Sequence, residues 1–151
     1  MARYHVVIVG KPKARWAQRA VDDYTRRLQR LGGVQEHPVK AERFTGSIEA
    51  VREAEGQRVR KAAKGLLVCL DERGDRLDTD AFAAMVDEGR QQGALSFAIG
   101  GAYGHDPATR RAAWRTVRLS DLVLNHELAR VVLYEQLYRA RTLIDGLPYH
   151  H

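Results

Sequence analysis

The chain of 151 residues is short of several things, and each shortage excludes a class of protein. It has one cysteine, Cys69, so no disulfide can form within it, and a secreted disulfide scaffold is excluded. That thiol lies in the apolar run LLVCL, which fits a reducing, cytoplasmic setting. The six histidines show no ligand spacing with a second thiol, so no metal centre is expected. No apolar run approaches the roughly 18 residues of a membrane span, and the opening MARYHVVIVGKPK lacks a signal peptide's apolar segment, so no membrane association is expected. Four prolines and 13 glycines are too few for a fibrous or low-complexity chain.

What is present describes one domain, residues 1–151. A hydrophobic content of 44% supports a buried core at this length. The net charge of +6 is unevenly spread. Residues 1–64 hold 15 Lys/Arg against 7 Asp/Glu, a net of +8, and residues 65–151 hold 10 against 12, a net of −2. This asymmetry predicts either a polyanion-binding surface in the first part, nucleic acid being the leading candidate, or a solvated helix face.

Five strands and five helices are expected in alternation. The run Tyr4–Val9 reads as a strand closed by Gly10, and Trp16, Ala20, Tyr24, Leu28 and Leu31 recur at helical spacing over 14–31. Gly32-Gly33 stops that helix, and a strand over 34–39 is weakened by Pro38. Ser47 caps a helix over 48–64. The apolar strand Leu66–Leu70 runs into a turn-rich DERGDR, and Asp78 opens a helix to about Gln92. Leu95–Ile99 ends in Gly100-Gly101; Asp106-Pro107 begins a helix to about Trp114, and a short strand over 116–119 follows. Asn125 caps the last helix, with Glu127 in its first turn, running to about Ile144. Such alternation predicts an α/β fold, a mostly parallel sheet with helices on both faces. The last helix carries apolar residues on most sides, which predicts burial against a second copy across a two-fold axis, or else a wedge within one chain.

Ligands of open α/β sheets bind beyond the carboxyl ends of strands, which singles out Leu70-Asp71, the segment from Gly100 to Gly104, and Leu119-Ser120-Asp121. Gly101-x-x-Gly104 falls one glycine short of a dinucleotide fingerprint, because Ile99 stands at its first position. Such a turn either approaches a ligand closely or is a tight strand-to-helix connection. No P-loop, metalloprotease or nucleophile-elbow pattern occurs.

Taken together, FAIGGAYG, then NHELARVVLYEQLYRA, and the terminal PYHH resemble the RlmH family of ribosomal RNA methyltransferases, within the SPOUT superfamily. The resemblance spans the chain and includes VVIVGKPK, EAEGQRV and VCLDERG; its most specific part is RVVLYEQLYRA. It implies a SPOUT methyltransferase fold with a C-terminal deep trefoil knot, and a homodimer. It also implies S-adenosyl-L-methionine as cofactor, held at Leu70, Gly100, Gly101, Leu119, Ser120, Asp121, Leu122, Val123, Leu124 and Asn125. The implied substrate is a pseudouridine of 23S rRNA, methylated at N3 in the assembled ribosome. The terminal Tyr149 and His150 are the implied catalytic residues. Two positions depart from the family: His151 stands where Arg or Lys is common, and Asn125 replaces a frequent Pro. Methyl transfer from a sulfonium is a displacement that needs positioning and no metal, while an imide nitrogen must lose its proton first.

Overall fold

The computed structural model describes residues 2–151. Strand β1 (Tyr4–Val9) leads through α1 (Arg15–Leu28) and a 3-10 turn (Gln29–Leu31) to β2 (Val34–Val39). Helix α2 (Ile48–Ala62), β3 (Leu66–Arg76), α3 (Thr79–Arg90) and β4 (Leu95–Ile99) follow, then α4 (Pro107–Ala112), β5 (Arg115–Arg118) and α5 (His126–Asp145). The strands form one sheet in the order β2-β1-β4-β3-β5, and every pairing is parallel. Pro38, which lacks a ladder donor, is tolerated because β2 is an edge strand.

The two-residue period of each strand sorts its side chains between two layers. Tyr4, Val6, Ile8, Val68, Leu70, Phe97 and Ile99 face α1, α3 and α5 and form the main core. Val7, Leu67, Cys69 and Ala98 point to the opposite layer, where Val59 of α2 covers them. Connections that cross the sheet toward β2 therefore run over one face, and those that cross toward β5 run over the other. All four crossovers share one hand, as parallel strand–helix–strand units require.

Four side-chain caps fall at the positions expected. Ser47, Asp78, Asp106 and Asn125 accept hydrogen bonds from the backbone amides of Ala50, Ala81, Thr109 and Leu128. Helix α1 has no such residue at its N-cap, Ala14. Glu127, from the first turn of α5, accepts from the Lys13 and Ala14 amides instead (3.1 and 2.7 Å).

Three expectations change. The DERGDR segment is not a turn after β3 but part of the strand, whose pairing with β5 shifts between Leu70 and Asp75. Gly74 makes this possible, since a Cβ there would lie 2.6 Å from the Val117 amide nitrogen. The basic excess of residues 1–64 does not form one surface, because α1 and α2 lie on opposite faces of the sheet. The apolar circumference of α5 is also largely covered within one chain. Leu133, Tyr134, Leu137 and Ala140 are buried, and Val131, Tyr138, Leu143 and Ile144 pack on the same core. The apolar side chains left exposed are Leu122 (76% exposed) and Val123 (81%) just before it, Leu128 in its first turn, and Leu147 just past its end. Among the described residues no helix is long and apolar enough to cross a membrane.

Arg130 of α5 is the largest fully buried side chain, only 2% exposed. Its Nε and Nη2 donate to the two carboxylate oxygens of Glu36 on β2 (2.8 and 2.7 Å). Nη2 also reaches Gln18 of α1, and the Tyr134 hydroxyl donates to Glu36 (2.8 Å). Removing one member of such a pair strands a buried charge, whereas an exposed pair contributes little. Glu36→Gln is accordingly expected to lower unfolding free energy by about 3 kcal/mol in chemical denaturation. Asp23→Asn, in an exposed pair with Arg26, should change it by under about 1 kcal/mol. Equal effects of the two substitutions would refute a structural role for the buried pair.

Candidate active site

The break in the β3 ladder after Leu70, the carboxyl end of β4 and the segment after β5 meet the start of α5 around a cleft of about 800 Å³. One wall is Leu70 to Arg73, the floor is Ile99 to Gly104, and the opposite wall is Arg118 to Leu124 with His126 and Ala129. All three strand ends selected from the sequence thus converge on one site. Of the ten expected cofactor positions, nine line it. The tenth, Asn125, adjoins it and has its side chain engaged as the α5 cap.

The walls are shaped by local hydrogen bonds. The shift in the β3 ladder displaces residues 71–74 from pairing, and Asp71 accepts from the Arg73 amide (2.8 Å) and Nε (3.1 Å). Burial alone would raise the Asp71 carboxyl, but the bonds from Arg73 outweigh it and hold the group below the usual carboxylate range. Ser120 Oγ accepts from the Leu122 amide (3.0 Å), and Asp121 pairs with Arg76 and Arg118. Ser120 thus fixes the turn at 120–122, and Asp121 ties the loop to β3 and β5.

Gly101 and Gly104 form a tight turn, closed by the Gly104 amide on the Gly101 carbonyl (3.0 Å). The glycine requirement at 101 has an internal cause beyond ligand approach. A Cβ on Gly101 would stand 2.5 Å from Oε1 of Glu55, a buried residue of α2. Glu55 Oε2 accepts from the Glu42 amide (3.0 Å), while Oε1 has no hydrogen-bond partner among the described residues.

Behind the cleft, Cys69 is fully buried, and burial first, then the Asp71 and Asp106 charges, push its thiol up to about 12. Such a thiol is a packing group and no nucleophile near neutral pH. His105 is buried too; its Nε2 donates to the Ala98 carbonyl (3.0 Å), and burial lowers its pKa, so it stays neutral. No group of three metal-ligating side chains gathers among the described residues.

Tyr149 and His150 do not line the cleft of their own chain. The tail folds back on the far half of α5: the Tyr149 hydroxyl donates to Glu135 (2.7 Å), its ring packs edge-on against Tyr138, and Arg139 donates to His150 Nδ1 (2.9 Å). Burial, with hydrogen bonds to Tyr24 and Glu135, holds the Tyr149 phenol above its ordinary range, so it is a donor. An imidazole that accepts at Nδ1 carries its proton on Nε2 and presents a donor as well.

Tyr103, within the segment singled out from Gly100 to Gly104, lines the cleft, and so do Arg52, Arg73 and His126, to which the sequence assigned no part in the site. His126 had a visible signal, its place just after the Asn125 cap at a strand-end loop; Arg52 had none, because it comes from a helix 50 residues earlier in the chain. A smaller cavity of about 150 Å³, lined by Gly10 to Lys13, Glu127 and Arg130, adjoins the cleft through Ile99 and His126.

The Glu55–Gly101 contact is tested by a double-mutant cycle. Gly101→Ala should cost about 1–3 kcal/mol of stability by overpacking. Adding Glu55→Ala should cost less than the sum of the two single changes. Strict additivity in denaturant titrations would show that Glu55 does not impose the glycine.

The family description "Predicted SPOUT methyltransferase" matches residues 2–150. The chain is similar to "Ribosomal RNA large subunit methyltransferase H" of Variovorax paradoxus, 45% identical with 96% of each chain covered. It is also similar to the protein of the same name from Geotalea uraniireducens, 38% identical with 99% of each covered. Among solved structures, a probable methyltransferase from Bordetella pertussis superposes with a TM-score of 0.56 at 19% identity, covering 93% of this chain and 95% of that one, a likeness of fold. A match over nearly every residue, to a family whose fold the five-stranded parallel sheet shares, leads to one conclusion: the chain belongs to the SPOUT methyltransferase family.

Proposed function

We propose that this chain is an S-adenosyl-L-methionine-dependent methyltransferase that acts on N3 of a pseudouridine in 23S rRNA of the assembled ribosome, in the cytoplasm, as a homodimer. The observation that carries the reading is the single cleft at the break in β3 and the ends of β4 and β5, in a chain that matches rRNA methyltransferases over 96–99% of its length.

The cleft suits the cofactor. Its volume lies in the range of small-molecule sites, and it combines apolar Leu70, Ile99, Leu119 and Leu124 with loop backbone amides and the carboxylates Asp71 and Asp121. When bound, S-adenosyl-L-methionine supplies an electrophilic methyl group on a positively charged sulfur. Leu70, Gly100, Gly101 and the 119–124 loop hold it, with the trefoil knot implied by the family setting the order in which those loops are threaded. The terminal Tyr149 and His150, which present donors, orient the base, and the N3 proton leaves to an acceptor at the cleft, His126 or a water held there.

The tail supplies the argument for two subunits. Ala129 borders the cleft, whereas Tyr149 and His150 bond to Glu135 and Arg139, six and ten residues further along α5. At 1.5 Å per residue this is roughly 9–15 Å away along the helix. In a two-fold dimer built on exposed Leu122, Val123 and Leu128, beside the cleft, the tail of one protomer serves the cleft of the other.

Two measurements test the reading. Incubation of ribosomes with labelled cofactor should yield one N3-methylpseudouridine in 23S rRNA by mass spectrometry, and its absence would overturn the assignment. Protomers truncated after Pro148 and protomers carrying Gly101→Val should each be inactive, while their mixture regains activity because one cleft then has both parts. A mixture as inactive as its parents would remove the tail from the partner's site.

A further inference from the structure

Helix α2 carries three side chains at three-residue spacing that reach two different loops. Arg52 Nε donates to the Tyr103 carbonyl (2.7 Å), on the glycine turn of the cleft. Glu55 receives the Glu42 amide, on the loop after β2. Arg58 donates to the Lys40 carbonyl (2.9 Å) and to the Glu42 carboxylate (3.3 Å), on the same loop. Positions i, i+3 and i+6 lie along one side of a helix, so α2 holds the 40–47 loop and the glycine turn in fixed relation.

That relation brings two aromatic rings together at the rim. Phe44, from the loop, lies 6.2 Å from Tyr103, centroid to centroid, at 47°. Phe44 is 53% exposed and Tyr103 is 37% exposed, so neither ring is spent on the core. Tyr103 itself lines the cleft. The charge beside them is positive and available: Arg52 lines the cleft with its two terminal nitrogens in no ion pair among the described residues, and Arg43 is exposed next to Phe44. Exposed aromatic faces interleaved with free guanidinium groups are the chemistry that receives an unpaired nucleobase and its phosphate.

We propose that Phe44 and Tyr103 form a stacking platform for one unpaired nucleobase of the RNA substrate, with Arg52 and Arg43 on the adjoining phosphate. This inference rests on the methyltransferase reading above and names residues that set substrate binding at the same cleft. Phe44 is a positioning residue: it touches the RNA beside the reacting base and takes no part in methyl or proton transfer.

The test uses the full-length protein, with S-adenosylhomocysteine and purified ribosomes as probes. Phe44→Ala is expected to raise KM for ribosomes about tenfold, the scale of one lost base–aromatic stack, with kcat nearly unchanged. S-adenosylhomocysteine affinity by calorimetry should not move, since Phe44 lies outside the cofactor's wall. Phe44→Trp should restore KM, and Phe44→Leu, apolar but without a π face, should not. Arg43→Ala should weaken ribosome binding and reduce its salt dependence. An unchanged KM in Phe44→Ala overturns the platform, as does full function of Phe44→Leu, which would make the ring a mere apolar cover. A change in dimerisation caused by Phe44→Ala also overturns it, by making the rim a protein interface. If the unaltered protein neither binds S-adenosylhomocysteine nor methylates ribosomes, the methyltransferase reading has failed, and the platform falls with it.

Discussion

The buried guanidinium of Arg130 is the constraint around which the cleft side of the molecule is organised. It joins the last helix to the edge strand β2 through Glu36 and to α1 through Gln18, two elements at the other end of the sequence. One turn earlier in the same helix, Glu127 occupies the N-terminus of α1, which has no capping side chain of its own. The start of α5 is therefore held from two directions, and the loop that precedes it, residues 119–125, is delivered to the cleft at a fixed height. A burial this deep is tolerated because the charge is met by a bidentate carboxylate, the geometry that best offsets desolvation.

The opposite layer is quieter in chemistry and serves to hold the cleft's floor. Cys69 and His105 are buried and kept uncharged, and Asp106 is engaged at once by the Thr109 amide and by Arg60. From this layer α2 reaches around the carboxyl edge of the sheet, placing Glu55 beneath Gly101 and Arg52 on the carbonyl of Tyr103. The glycine turn is thus set by packing against α2 before any ligand arrives, which is the condition for a site that loses little entropy on binding.

Much of this was legible in the sequence because it depends on local rules. The β-branched run at 4–9, the apolar run at 66–70 and the caps at Ser47, Asp78, Asp106 and Asn125 are properties of a few neighbouring residues, and the structure has a strand or a cap at each. The three strand ends follow from the parallel topology, so they were legible too. What was not legible depends on contacts between distant segments. Composition at 71–76 suggests a turn, yet β5 recaptures the chain at Asp75 because Gly74 lets the backbones close up. The apolar girth of α5 suggested a partner subunit, but α1 and α3 cover most of it within one chain. The position of Tyr149 and His150 away from their own cleft is a matter of where a 20-residue helix ends, which spacing in sequence does not reveal.

The strand order has a consequence for how the chain acquires its structure. β1 and β2 can pair early, but β3 has only β4 and β5 as neighbours, and both come after it. β4 alone joins the two groups, sitting between β1 and β3 with a register to each. Until Leu95–Ile99 is in place, the first ninety-odd residues hold a two-stranded ribbon and a lone apolar strand with no common sheet. Joining the two groups into one sheet therefore waits for one five-residue strand, whose two pairings close long loops and carry their entropy cost. Before it, the facing edges of β1 and β3 are open to other chains, so the strand that joins the two groups also covers two of the edges most prone to aggregate, and β5 covers the last edge of β3.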